Sequence, residues 1–278
     1  MEIKFLCPRW GFESLAWEDF LAQVKDAGYA GIEWFPQGGK PEIEQVSDLL
    51  VRYQLEHAIV MEIARPFTGF DDYLFHLQQD LDILLGTLAA IKSPLFLSIQ
   101  TGREFFSIPE IEACIQVCTD MQDKHNIAIY QETHRNKWSY AAHITGAVLR
   151  QHQALCLTLD ISHWYCVSES YLLDQQETVQ LAVKHARHIH ARVGHTEGPQ
   201  VIDPAFDEYR EALDHHLQIW DMWIAHMTSL QKTFCTITPE FGPPPYLSVA
   251  GRALDPLQEQ WRLNLWIKNL LQNRYHDE

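Results

Sequence analysis

The chain has 278 residues, of which 46% are hydrophobic and 21% charged; that is enough apolar material for a sizeable core and too little charge for a disordered chain. Its 37 acidic residues outweigh 21 basic ones, for a formal net charge of -16, so nucleic acid and anionic membranes are not expected as partners. The opening MEIKFLCPRWGFESLAWEDF mixes acidic with apolar residues, and no later run approaches the roughly 18 apolar residues of a membrane span. A cytoplasmic location without secretion is the expectation.

Along the chain, short apolar runs alternate with amphipathic helical patterns. Strands are expected at 3–7, 31–35, 57–63, 95–101, 127–134, 155–162, 188–193 and 234–241. The helical patterns include WEDFLAQVKDAG, EIEQVSDLLVRYQ and FDDYLFHLQQDLDILLGTLAAI, with apolar residues every three or four positions. Eight repeated β-α units in one chain of this length predict an α/β fold, a single parallel (β/α)8 TIM barrel spanning 1–278.

Six cysteines, Cys7, Cys114, Cys118, Cys156, Cys166 and Cys235, are scattered too widely for a disulfide framework and read as reduced thiols. Cys114 and Cys118 share one face of the helical IEACIQVCTDMQ, as half of a zinc site or as small buried thiols on a core stripe. The region 206–231 reads as the longest helix. Its His215 and His216 diverge by about 100 degrees and are expected on the surface, not on one ion. Trp220 and Trp223 fit either core packing or a contact between copies in a homo-oligomer.

In a barrel of this type, chemistry gathers at the C-terminal ends of the strands. Strand alternation places Ala128, Tyr130, Glu132 and His134 inward on the fifth strand, and Cys156, Thr158 and Asp160 inward on the sixth. On the seventh, His188, His190 and Arg192 share a face; on the eighth, Thr236, Thr238 and Glu240 do. Alone, Glu132 or Asp160 reads equally well as a helix cap and His188 as a hydrogen-bonded core histidine. Together, buried ionisable groups on neighbouring strands would cost several kcal/mol without a counter-charge, and one divalent cation removes that cost. The expected ligands are Glu132, Asp160, His190 and Glu240, an oxygen-rich set suited to Mn2+, Mg2+ or Co2+ and able to hold Zn2+. His163, three residues after Asp160, is expected to contact substrate, and His188 to support the site from beneath.

The ordered segments GYAGIEWF, ETHRN, LDISHW, HIHARVG and TPEFG resemble the xylose-isomerase-like barrel superfamily, which groups sugar isomerases and epimerases with apurinic endonucleases. The resemblance spans essentially the whole chain. In its epimerase branch it implies metal ligands at Glu132, Asp160, His190 and Glu240, and it places Glu33 at an acidic position that serves as a supporting hydrogen bond or a substrate contact. It also implies a small carbohydrate substrate, whose proton next to a carbonyl is removed by Glu132 or Glu240 and returned by the other, giving isomerisation or epimerisation through an enediolate. An inosose-like dehydratase would use the same enolate. An endonuclease-like hydrolase on the same barrel is opposed by the net charge, and a non-catalytic sugar-binding sensor would bind tightly without proton exchange.

The epimerases carry an arginine further beyond the histidine of the seventh strand, whereas here Arg192 follows His190 by two residues and His195 occupies the loop. Substrate contacts are therefore assigned to His134, His163, Arg192, His195, Trp10 and Glu33, with Arg192 alternatively pairing a site carboxylate. Trp10, Trp34 and Trp164 near strand ends serve as ring platforms or as packing. The proline-rich FGPPPYL lacks the N–H groups that cradle a phosphate, and HTEGPQVIDP has no glycine-rich loop, so an unphosphorylated substrate is expected. A Schiff-base aldolase would need an inward lysine near a strand end, and Lys4, the only lysine on a strand, comes too early.

Overall fold

The computed structural model describes residues 1–249 and 252–275. Its strands are β1 (Glu2–Pro8), β2 (Gly31–Trp34), β3 (Glu56–Glu62), β4 (Leu97–Gln100), β5 (Ile129–Glu132), β6 (Leu157–Leu159), β7 (Ala186–Ala191) and β8 (Phe234–Pro239). They pair in parallel and in sequence order, and β1 closes on β8, so the expected eight-stranded (β/α)8 barrel is what forms. Among the described residues the α-helices are α1 (Trp17–Asp26), α2 (Gly39–Tyr53), α3 (Phe70–Leu88), α4 (Ile108–His125), α5 (Ala142–Gln151), α6 (Ile161–Ser168), α7 (Gln176–His185), α8 (Arg210–Ser229) and α9 (Pro256–Arg274). None of them is long and apolar enough to cross a membrane.

Local chemistry sets the helix starts. Ser107 and Glu110 form a reciprocal capping box on α4, with Pro109 in its first turn, and the Asp255 carboxylate accepts from Gln258 N ahead of Pro256 on α9. Helix α3 buries Tyr73, Leu77, Leu81, Leu85 and Leu88, an i,i+4 stripe that packs against the sheet. Strands covered on both faces are buried throughout, as β2 is from Gly31 to Trp34. Gly31 itself lets β2 approach β3, because a Cβ there would sit 2.1 Å from the Glu56 carbonyl oxygen.

Several expectations change once the helices pack. Strand β6 stops at Leu159, not at 162, because the Asp160 carboxylate accepts from Ser162 N and starts α6. His216 is fully buried, contrary to the expected surface position, since it lies on the same stripe of α8 as Ala212, Ile219 and Trp220. His215 is half-buried and stacks on Tyr171 with ring centroids 4.1 Å apart. Trp220 and Trp223 belong to the core, and Trp223 Nε1 donates to Ala186 O at 3.2 Å. Cys114 and Cys118 are buried free thiols whose pKa values burial raises, Cys118 up to about 12; among the described residues neither joins a group of potential ligands.

The barrel lumen is filled in layers. Near its floor Leu6, Ala58 and Phe96 pack with Ala128 and Tyr130, and the Phe96 and Tyr130 rings stack at 4.7 Å. One step higher, Ser98 Oγ donates to Thr158 Oγ1 at 2.8 Å and the His188 ring lies 4.7 Å from Phe96. Above that, the inward positions turn acidic.

Candidate metal centre

Four consecutive strands deliver the upper layer. Glu132 ends β5, Asp160 follows β6, His190 lies in β7 and Glu240 follows β8; all four are buried, Glu240 the least so at 9%. Ligand atoms of Asp160, His190 and Glu240 lie within 4.8 Å of one another. His190 Nδ1 is 3.1 Å from Glu240 Oε2 and 3.7 Å from Glu132 Oε1. Yet His190 Nδ1 and Glu240 Oε2 are both without a hydrogen-bond partner. A buried polar atom left unpaired costs about 1–3 kcal/mol, and here two such atoms face the same point.

The other side of the His190 ring is fixed. Nε2 donates to Glu33 Oε2 at 3.0 Å, which directs Nδ1 toward Glu132 and Glu240. A carboxylate that orients a ligating histidine in this way is the usual support of a metal site. Burial raises the Glu33 pKa, but His190 and His188 more than offset it and hold the carboxyl well below its ordinary range. Burial likewise opposes a charged His190, and Glu240, Glu33 and Glu132 outweigh it, so the ring's pKa stands well above normal. Glu132 is raised by burial, although His190 opposes this, and Gln100 Nε2 donates to both of its oxygens at 3.0 Å. Three carboxylates and one imidazole, with orphaned atoms on two of them, fit a divalent cation.

Arg192 takes up the carboxylate pairing that is the alternative to a substrate contact. Its guanidinium, 2% exposed, donates to Asp160 Oδ2 and stands 3.6 Å from Glu240 Oε2, so it pairs with the site carboxylates. Asp160 Oδ1 meanwhile accepts from Ser162 N at 2.9 Å, which is the helix-cap reading of this residue. A carboxylate has about four acceptor positions, so these contacts leave Asp160 room for a cation. Burial raises the Asp160 pKa, and Arg192 counteracts it.

His163 is fully buried and does not line the cavity, contrary to the expected substrate contact. It lies beneath Arg192, whose Nη2 donates to His163 Nε2 at 2.8 Å. The reason is its place on α6: three residues past the cap, the side chain turns back under the mouth, 4.0 Å from the His134 ring. Burial, then Arg192, lowers His134 to about 3, and burial, then His134 and Arg192, puts His163 well below normal, so both rings are neutral. His195 is not among the residues lining the cavity; its Nδ1 accepts from Glu197 N at 3.1 Å and its ring stacks on Tyr209. His188 sits in the layer below, its Nδ1 donating to Thr236 O at 2.9 Å and its Nε2 accepting from Thr238 Oγ1 at 3.1 Å.

Above the cluster opens a cavity of about 420 Å³. Glu33, Glu132, His134, Arg192 and Glu240 form its inner end, and Trp10, Trp34 and Phe35 also line it. Trp164 is core, donating from Nε1 to Ser139 O at 2.8 Å. The lining residues that sequence reasoning misses include Gln100, Glu62, Phe35 and Tyr246. Gln100 and Glu62 are the last residues of β4 and β3, the positions that strand-end reasoning selects, whereas Tyr246 lies in a loop and carries no such signal. Lys137 is also buried nearby, its Nζ donating to Glu62 Oε2 at 2.8 Å, while Lys4 is engaged with Glu56 at 2.7 Å near the other end of the barrel.

Neither known protein-family models nor curated proteins match the sequence. Solved structures do match in shape. The chain superposes on 3-keto-D-glucoside 4-epimerase, YcjR, from E. coli with a TM-score of 0.62 at 11% identity, covering 96% of this chain and 100% of that one. A xylose isomerase-like TIM barrel protein from Mycobacterium smegmatis in complex with magnesium gives 0.60 at 13% identity, with 97% of each chain covered. The IOLI protein with a bound zinc atom gives 0.63 at 13% identity, covering 96% of this chain and 98% of that one. The fold is thus the TIM barrel that these epimerase and xylose isomerase-like structures share.

Proposed function

We propose that the protein is a divalent-metal-dependent isomerase or epimerase acting on a small, unphosphorylated sugar or polyol carbonyl. The observation that carries this reading is the pair of unpartnered buried atoms, His190 Nδ1 and Glu240 Oε2, 3.1 Å apart, with ligand atoms of Asp160 within 4.8 Å and Glu132 Oε1 3.7 Å from Nδ1. Glu132, Asp160, His190 and Glu240 would hold the ion, and of Mn2+, Mg2+, Co2+ and Zn2+ the oxygen-rich set leans toward the harder ions. Bound there, the cation supplies Lewis acidity to a substrate carbonyl.

The residues of the chain carry the proton. Glu132 and Glu240 lie 3.7 and 3.1 Å from the same His190 Nδ1 and both line the cavity; one carboxylate takes the proton next to the carbonyl and the other returns it. Gln100 holds Glu132 through both oxygens and fixes its plane. Burial raises the Glu132 pKa, which makes its carboxylate a stronger base than one in water. His134 and Arg192 line the cavity beside these groups and offer hydrogen bonds to substrate hydroxyls.

Charge favours a neutral substrate. Glu13, Glu33, Glu62, Glu132 and Glu240 line the cavity against Arg9 and Arg192; Arg9 Nη2 donates to the Glu13 and Leu15 carbonyls, while its Nη1 has no partner. A phosphate dianion would meet this acidic wall. The test is incubation in D2O with Mn2+ and free ketoses and inososes, scoring deuterium next to the carbonyl. Exchange that drops by about 10²- to 10⁴-fold in both Glu132→Gln and Glu240→Gln supports the two-carboxylate mechanism. Exchange unaffected by either substitution would sink it.

A further inference from the structure

The inner end of the cavity is charged and its rim is aromatic. Trp10 and Phe35 both line the cavity and remain 36% and 41% exposed. Large aromatic rings left in water at the mouth of a polar cavity are apolar area that a ligand can cover. Tyr246 joins rim to interior: its ring meets Trp10 edge-on at 5.3 Å, and the Arg192 guanidinium carbon lies 5.1 Å from its centre. Arg135 holds it in place by donating to the Tyr246 hydroxyl at 2.9 Å.

Trp10 is rigidly mounted. Gln260 Nε2 donates to Trp10 O at 2.8 Å and to Phe241 O at 2.9 Å, tying the loop after β1 to the loop after β8. The indole rests where Gly242 has no side chain, since a Cβ there would stand 2.2 Å from Trp10 Cη2. Gly11, at φ +90, turns the chain away behind it. An exposed aromatic ring fixed in this way loses little entropy when it binds.

We propose that Trp10, Phe35 and Tyr246 form a second subsite, and that the substrate is a keto-sugar carrying a further glycosyl ring. Its ketose end lies at Glu132 and Glu240, and the C–H face of the second ring covers the aromatic rim. The inference rests on the sugar-carbonyl reading above and adds the size and chemistry of the substrate. The cavity volume of about 420 Å³ falls within the roughly 300–1,000 Å³ of small-molecule sites.

The experiment compares fructose with its glucosylated forms maltulose and isomaltulose, by deuterium exchange in D2O with Mn2+ and by calorimetric binding. The glucosylated ketoses are expected to exchange with a kcat/KM at least tenfold above fructose. Trp10→Ala is expected to reduce that ratio about tenfold, mainly through KM, and Trp10→Phe to restore most of it. Phe35→Ala, on a separate loop, provides the second test should Trp10→Ala fold poorly. A preference for fructose, or a ratio unchanged in both alanine variants, overturns the subsite while leaving the proton-transfer chemistry intact. Failure of every ketose to exchange or bind removes the sugar-carbonyl reading and this inference with it.

Discussion

Two histidines on one strand, two residues apart and on the same face, differ in a way that separates the packed lumen from the working end. His188 donates from Nδ1 to Thr236 O and accepts at Nε2 from Thr238, so both nitrogens are engaged and burial lowers its pKa. His57 and His216 show the same pattern elsewhere. His57 Nε2 donates to Lys92 O while Nδ1 accepts from Trp34; His216 Nδ1 donates to Ala212 O while Nε2 accepts from Gly194 N. His190 is instead satisfied on one side only, by Glu33, and presents an unpaired Nδ1 to carboxylates. His57, His188 and His216 are each engaged at both nitrogens; in His190 the free nitrogen faces carboxylates and the held one is backed by another, the arrangement on which the metal reading rests.

The largest effect follows from the locked histidines. Burial lowers His57 and His216 from the ordinary 6.5 to about 4, so below pH 6.5 the unfolded chain binds protons that the folded chain refuses. The contribution of these two histidines to stability is therefore constant above the ordinary value and falls with pH toward 4, by roughly 3 kcal/mol each. Denaturant unfolding at pH 7 and pH 4.5 measures the loss, and His216→Gln should reduce the difference. Equal acid sensitivity in wild type and variant would mean that His216 is not a neutral core group.

A smaller effect sharpens the contrast from the other side. Glu33→Gln removes the negative charge behind His190 and should weaken Mn2+ binding by about 10- to 100-fold. Titration calorimetry of the folded variant reads this directly. Affinity matching the wild type would make Glu33 a packing residue only.

The barrel and the strand-end chemistry are legible in the sequence for one physical reason. Strand alternation has a fixed period of two, so Glu132, Asp160, His190 and Glu240 could be placed on one surface without coordinates. The same rule would have found Gln100 and Glu62, which end β4 and β3. It could not find what depends on side chains meeting across loops. That Arg192 pairs with Asp160, and that His163 lies beneath it, follows from how α6 folds back from its Asp160 cap. Tyr246 and Phe35 likewise gain meaning only where the loops converge, and the burial of His216 comes from the face that α8 turns to the core.

The central claim is that His190 and its neighbouring carboxylates hold a divalent cation. Its most direct test is a calorimetric Mn2+ titration of the metal-stripped protein beside His190→Ala, with elemental analysis of the stoichiometry. The account predicts one ion per chain in the wild type and loss of that binding in the variant, while circular dichroism shows both folded. Absence of binding in the wild type, or equal binding in both, would contradict it.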